Sequence, residues 1–280
     1  MKLGAISYLW AEEFGAEHCG ILPRLKEAGL DGIEIGILAP AKFPANAIRR
    51  ELEKTGLECT TCAVIPHGAS LTSVDSEQRR KARAHVEECI KLAADAGSKV
   101  LGGPMYSPVG YFSRKRRTED EWKHGVESWR AIAPVAAKNN MQIAIEPLNR
   151  FETYFLNTIT DTAKFCDEVG SPNVGLLADT FHANIEEKSI GQALRQAGRH
   201  LKHIHTCEND RGTPGSGNVN WKEFFETVKA LRYDGWMVIE SFSFSMGQLA
   251  AAASIWRDIE REPEDVAFDG VKFLRKMLAA

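Results

Sequence analysis

Two hydrophobic rhythms alternate along the whole chain. Short runs rich in Ile, Val and Leu predict eight strands, at 3–10, 32–37, 57–65, 99–105, 142–148, 174–181, 201–208 and 236–242. Between them lie segments such as HCGILPRLKEAG (18–29), NAIRRELEKTG (46–56) and EQRRKARAHVEECIKLAADAG (77–97). These place apolar residues at i, i+3, i+4 and i+7, which predicts amphipathic helices. Thr118 with Glu121 and Asn220 with Glu223 have the spacing of helix entries, and Gly29, Gly56, Gly97 and Gly170 stand where helices should end.

Eight strand–helix units in this order imply a parallel sheet with right-handed crossovers, and eight is the number that closes into a barrel. The expected fold is therefore α/β, a single (β/α)8 TIM barrel spanning residues 1–280; a doubly wound open sheet is the alternative. No linker, low-complexity tract or shift in composition marks a second domain. In such a barrel, functional residues belong at the C-terminal ends of the strands, because the loops that follow them form one face.

Composition narrows the partners. The chain is 44% hydrophobic with a net charge of −3, which provides no broad attraction for nucleic acid or for a membrane surface. Small molecules are the expected partners. Glu12 and Glu13 interrupt the N-terminal apolar run, and no stretch reaches the roughly 20 apolar residues of a membrane span, so a cytoplasmic location is expected. The six cysteines are scattered, and CTTC (59–62) lies in a strand-like run where residues three apart face opposite sides, so reduced core cysteines are expected.

The chemistry sits at the strand ends. Strand five ends at Glu146, strand six at Asp179, strand seven at His205 and strand eight at Glu240. A single Asp or Glu at a strand end is more often a helix N-cap or a solvated loop residue than a ligand. Four on consecutive strands point to a shared site. Alternation turns Ala144 inward with Glu146, Leu177 with Asp179 and Val238 with Glu240, while Ile143 and Ile145 face the helices. Three carboxylates with one imidazole, partly desolvated, are costly to hold together, and the like charges raise one another's pKa values unless a cation joins them. The oxygen-rich set suits one divalent metal ion, Mn²⁺ first, with Mg²⁺ or Co²⁺ as alternatives. His203 shares the inward face one layer deeper and reads as a hydrogen-bonded histidine, not a ligand.

The segments EPLNRFETYFLNT, DTFHANIEE, HIHTCENDRGTPGSGNVNW and YDGWMVIESF together resemble the D-tagatose/D-psicose (allulose) 3-epimerase family, among the xylose-isomerase-like sugar isomerases and epimerases. The resemblance is densest from about residue 142 to 242. It implies an isomerase that interconverts the C3 epimers of a free ketose through a cis-enediolate. Glu146, Asp179, His205 and Glu240 would hold the metal, with Glu146 and Glu240 doubling as catalytic acid and base. Glu152, His182 and Arg211 would bind the sugar, and the protein would assemble as a dimer or tetramer. Alternatives within the same chemistry are an aldose–ketose, keto-inositol or hydroxypyruvate-type isomerase. Outside it stand an endonuclease-IV-like metal phosphodiesterase, disfavoured by the acidic net charge, and a non-catalytic sugar-binding subunit. GTPGSG (212–217) reads as a mobile loop beside the site, RKRR (114–117) as a solvated loop or a contact for a phosphorylated sugar, and Tyr106, Tyr111 and Phe112 as pocket wall or packing.

Overall fold

The structure, a computed structural model, describes residues 1–280. Eight parallel strands close into a barrel in sequence order: β1 (Lys2–Ile6), β2 (Gly32–Ile37), β3 (Glu58–Ala63), β4 (Val100–Gly103), β5 (Gln142–Ile145), β6 (Val174–Asp179), β7 (Leu201–Thr206) and β8 (Trp236–Ile239). The open-sheet alternative is thereby excluded, since β1 pairs with β8. Helices α1 (Leu22–Glu27), α2 (Ala45–Thr55), α3 (Ser76–Asp95), α4 (Glu119–Lys138) and α5 (Ile159–Val169) follow the first five strands. Two short helices, α6 (Thr180–Glu186) and α7 (Ile190–Ala197), follow β6, α8 (Trp221–Ala230) follows β7, and α9 (Gly247–Ala252) and α10 (Asp265–Ala279) complete the chain.

Local chemistry accounts for the boundaries. The Thr118 side chain caps α4 reciprocally with Glu121, and Asn220 accepts the Glu223 N–H to start α8. Gly29, Gly56, Gly97 and Gly170 all take positive φ where the preceding helices stop. Several strands are shorter than their hydrophobic runs predict. β5 ends at Ile145: the Glu146 N–H still donates to the Gly103 carbonyl at 3.1 Å, but Pro147 has no N–H to carry the ladder further. β4 ends at Gly103, whose φ of 119° is followed by Pro104.

The two sides of the sheet bury different residues. Outward-facing Ile143, Ile145, Leu176 and Ala178 join the large core between sheet and helices, while Ala144, Leu177, Val238, Cys62 and Trp236 pack inside the barrel. The alternation read from the sequence therefore holds on β5, β6 and β8. Cys59 and Cys62 fall on opposite sides of β3, and all six cysteines are free and buried. No helix is long and apolar enough to cross a membrane.

Candidate active site

Glu146 follows the last residue of β5, Asp179 ends β6, His205 lies one residue before the end of β7, and Glu240 follows β8. The barrel's pleat directs all four inward, and each is buried, with Glu240 the most exposed at 6%. One donor atom from each of the four lies within 4.8 Å of every other. Asp179 also fulfils the ordinary strand-end role: its Oδ1 accepts the Phe181 N–H and caps α6, which leaves Oδ2 for the site.

The donor set fits a cation. Glu146 Oε1 and His205 Nδ1 are buried without a hydrogen-bond partner, an arrangement costing about 1–3 kcal/mol per group unless something else engages them. His205 Nδ1 lies 3.2 Å from Glu240 Oε1 and 3.7 Å from Glu146 Oε1. Burial, and then the Glu240 charge, push the Glu146 carboxyl well above its usual range. Burial likewise pushes Asp179 up to about 6, against the pull of Arg211. Burial acts the same way on Glu240, yet the His205 and Arg211 charges outweigh it and hold Glu240 below the usual carboxylate range. Burial opposes charge on His205, but Glu240 and Glu34 overcome it and raise the imidazole well above its ordinary value.

The structure adds a positive charge that the strand-end reading did not count. Arg211 Nη1 donates to Asp179 Oδ2 at 2.9 Å and also to Glu240 Oε2. Its guanidinium carbon lies 4.0 Å from the centroid of the Phe181 ring. Arg211 itself is 4% exposed and has a φ of 68°, a left-handed conformation that a side-chain-bearing residue adopts only when its surroundings impose it. Those surroundings include its backbone N–H bonded to Glu208 and its carbonyl accepting from Ser241 Oγ at 2.7 Å. His182 is oriented from both sides: the Asn149 N–H donates to Nδ1 at 3.0 Å, and Arg211 Nη2 lies 3.2 Å from Nε2. That Nε2 lies 3.7 Å from Glu146 Oε1 and 3.6 Å from Asp179 Oδ2. Glu152 accepts from Asn149 Nδ2 at 2.8 Å and reaches the same cavity.

That cavity holds about 250 Å³, just below the ~300–1,000 Å³ typical of small-molecule pockets. Glu146, Glu152, His182, His205, Arg211 and Glu240 line one side. The opposite wall is mostly apolar and comes largely from the first half of the chain and from beyond β8: Tyr8, Leu38, Val64, Val109, Phe242 and Leu249. Tyr8 and Phe242 stack with their ring centroids 5.4 Å apart. The basic run 114–117 stays away from the cavity, with Arg117 paired to Asp161 at 2.5 Å and stacked over Trp122. Tyr106 packs against Phe155 and Tyr111 against Tyr154, so from that loop Val109 reaches the cavity instead of the aromatics.

Two features escape a reading of the sequence. The segment 212–217, expected to be mobile, lies in a loop tied to one buried carboxylate: Glu208 accepts from the N–H groups of Gly215 (2.8 Å) and Val219 (3.1 Å) and from Trp221 Nε1 (2.5 Å). The other is Glu34 on β2, fully buried, which accepts from His205 Nε2 at 2.6 Å, His203 Nε2 at 2.7 Å and Thr60 Oγ1 at 2.7 Å. A charged residue amid GIEIGI, at the parity facing the barrel interior, was the available signal.

Comparison with known proteins places these observations in a family. The family described as xylose isomerase-like TIM barrel matches residues 22–277. A protein of Synechocystis named probable ketose 3-epimerase is 38% identical over 276 residues, covering 99% of this chain and 96% of that one. A D-psicose 3-epimerase of Ruminiclostridium cellulolyticum is 32% identical, with 96% and 93% covered. Among solved structures, a D-allulose 3-epimerase from Methylomonas in complex with D-allulose superposes with a TM-score of 0.93 at 26% identity, over 99% of this chain and 97% of that one.

Proposed function

The chain belongs to the xylose isomerase-like TIM barrel family, among its ketose 3-epimerases, and from that premise we propose that it interconverts the C3 epimers of a free ketose with the aid of one divalent cation. The observation that carries this reading is the convergence of Glu146, Asp179, His205 and Glu240 within 4.8 Å of one another beside the buried cavity. Three carboxylates with one imidazole favour Mn²⁺, with Mg²⁺ or Co²⁺ as alternatives. When bound, the cation supplies Lewis acidity toward the oxygens of a hydroxyketone, worth several kcal/mol.

The chain's own residues account for the proton movements. Inverting C3 requires removing its hydrogen from one face and returning a proton to the other. Glu146 and Glu240 follow the ends of β5 and β8, separated around the barrel by β6 and β7, so they approach a molecule in the mouth from different sides. One glutamate takes the proton and the other delivers one, each transfer contributing about 10²–10⁴-fold, and the roles exchange with the epimer bound. His182 through Nε2 and Arg211 through its guanidinium are placed to hydrogen-bond sugar oxygens and hydroxyls, and Glu152 to accept from a hydroxyl. A free ketose fits better than a phosphorylated one. Arg211 is the only arginine or lysine lining the cavity, and two carboxylates already share it.

The test is product analysis. Cation-loaded protein incubated with D-fructose, D-psicose, D-tagatose and L-ribulose in D₂O should yield the C3 epimer of at least one, with deuterium at C3 by NMR. An aldose product would move the assignment to aldose–ketose isomerisation, and absence of exchange with every ketose would remove the epimerase reading.

A further inference from the structure

We infer that Glu34 is a positioning residue for the cation site: its carboxylate holds His205 as the Nε2–H tautomer and thereby turns the Nδ1 lone pair toward Glu146, Asp179 and Glu240. This rests on the proposal that those residues hold a cation. The geometry is specific. His205 has two ring nitrogens, and the one facing the other three ligands is Nδ1, which has no hydrogen-bond partner. Its Nε2 points the opposite way, 2.6 Å from Glu34 Oε1. The Glu34 carboxylate accepts from Nε2–H, so when a cation displaces the other ring proton the one that remains sits on Nε2 and the lone pair on Nδ1. Metal-binding histidines generally need such a partner on the second nitrogen, and its loss typically weakens binding 10–100-fold.

Glu34 is itself fixed by residues from two other strands. Thr60, directly opposite it on β3, and His203 on β7 both donate to Oε2, leaving Oε1 for His205. The first threonine of CTTC, Thr60, and the deeper histidine of HIH, His203, thus belong to one network, spanning β2, β3 and β7. An alternative role for the same residues, a second cation site made by Glu34, His203 and His205, conflicts with the distances. Oxygen–nitrogen separations of 2.6 and 2.7 Å are direct hydrogen bonds. They are too short for atoms sharing a cation whose bonds measure about 2.1 Å and meet near right angles or wider.

The deciding experiment measures Mn²⁺ affinity by calorimetry for the wild type and for Glu34→Gln, a near-isosteric change that removes the charge. Positioning predicts a dissociation constant raised about 10–100-fold for the variant, with thermal stability of the cation-free form recorded alongside. An unchanged dissociation constant in a folded variant would overturn the inference and leave Glu34 a structural residue. Imidazole ¹⁵N NMR of wild-type, Mg²⁺-loaded protein decides the matter even if Glu34→Gln fails to fold. His205 should carry its proton on Nε2; a proton on Nδ1 contradicts the proposal. Failure of the underlying cation reading shows separately, as no binding heat from the wild type.

Discussion

At the scale of single residues, side chains differ in what their loss should change. Glu146→Gln and Glu240→Gln each keep shape and remove a proton acceptor, so each should lower kcat about 10²–10⁴-fold at saturating cation, measured by epimer formation. Glu152→Gln leaves that pair intact and should act mainly through KM. How far the site could be read beforehand depended on position. Glu146, Asp179, His205 and Glu240 were legible because each falls at the end of its own hydrophobic run and strand parity points them the same way. Glu34 was not, because its meaning lies in contact with His203 and His205, 169 and 171 residues away, and nothing local announces that contact. Arg211 was legible as a candidate sugar contact only through family resemblance. Its hold on Asp179 and Glu240 depends on a left-handed backbone that sequence does not announce.

At the scale of elements, the helix caps and stops were readable because Thr118, Asn220 and the glycines act on their immediate neighbours. The state of the β7–α8 connection was not, because a run of Gly, Pro and Ser looks mobile whatever distant carboxylate its N–H groups find. Glu208→Gln replaces one acceptor oxygen with a donor facing N–H groups, an exchange that should cost about 1–3 kcal/mol. Limited proteolysis should then cut within 209–219, where the wild type resists. A second element-level prediction concerns the cavity wall. At Gly36 on β2, a Cβ would collide with the Tyr8 ring, the one that stacks on Phe242. Gly36→Ala should destabilise the protein by about 1–3 kcal/mol and raise KM by displacing that wall. Melting temperature and steady-state kinetics check the two parts.

At the scale of the whole molecule, the buried ionisable cluster ties stability to pH. Glu146 and Asp179 bind protons more tightly when folded, so each withdraws stability as pH rises from the ordinary carboxylate range, Asp179 through about 6 and Glu146 higher. His205 stabilises below its ordinary range, and that contribution is lost as pH climbs to its raised folded value. His182 and His203, both depressed chiefly by burial, run the other way, but only below about 6.5, where unfolded imidazoles are charged. Glu34 and Glu240 lose their contribution only in acid. Cation-free protein should therefore melt at lower temperature at pH 8 than at pH 6.5. A cation, which displaces these protons, should raise the melting temperature more at pH 8, by about 2.7 kcal/mol of stability at a hundredfold excess over its dissociation constant. Equal gains at the two pH values would separate the cluster from cation binding. The most direct measurement is an anomalous difference map from a crystal of the protein soaked in Mn²⁺. The account predicts one strong peak bonded to Glu146, Asp179, Nδ1 of His205 and Glu240. A peak among Glu34, His203 and Nε2 of His205, or no peak at the barrel mouth, would contradict it.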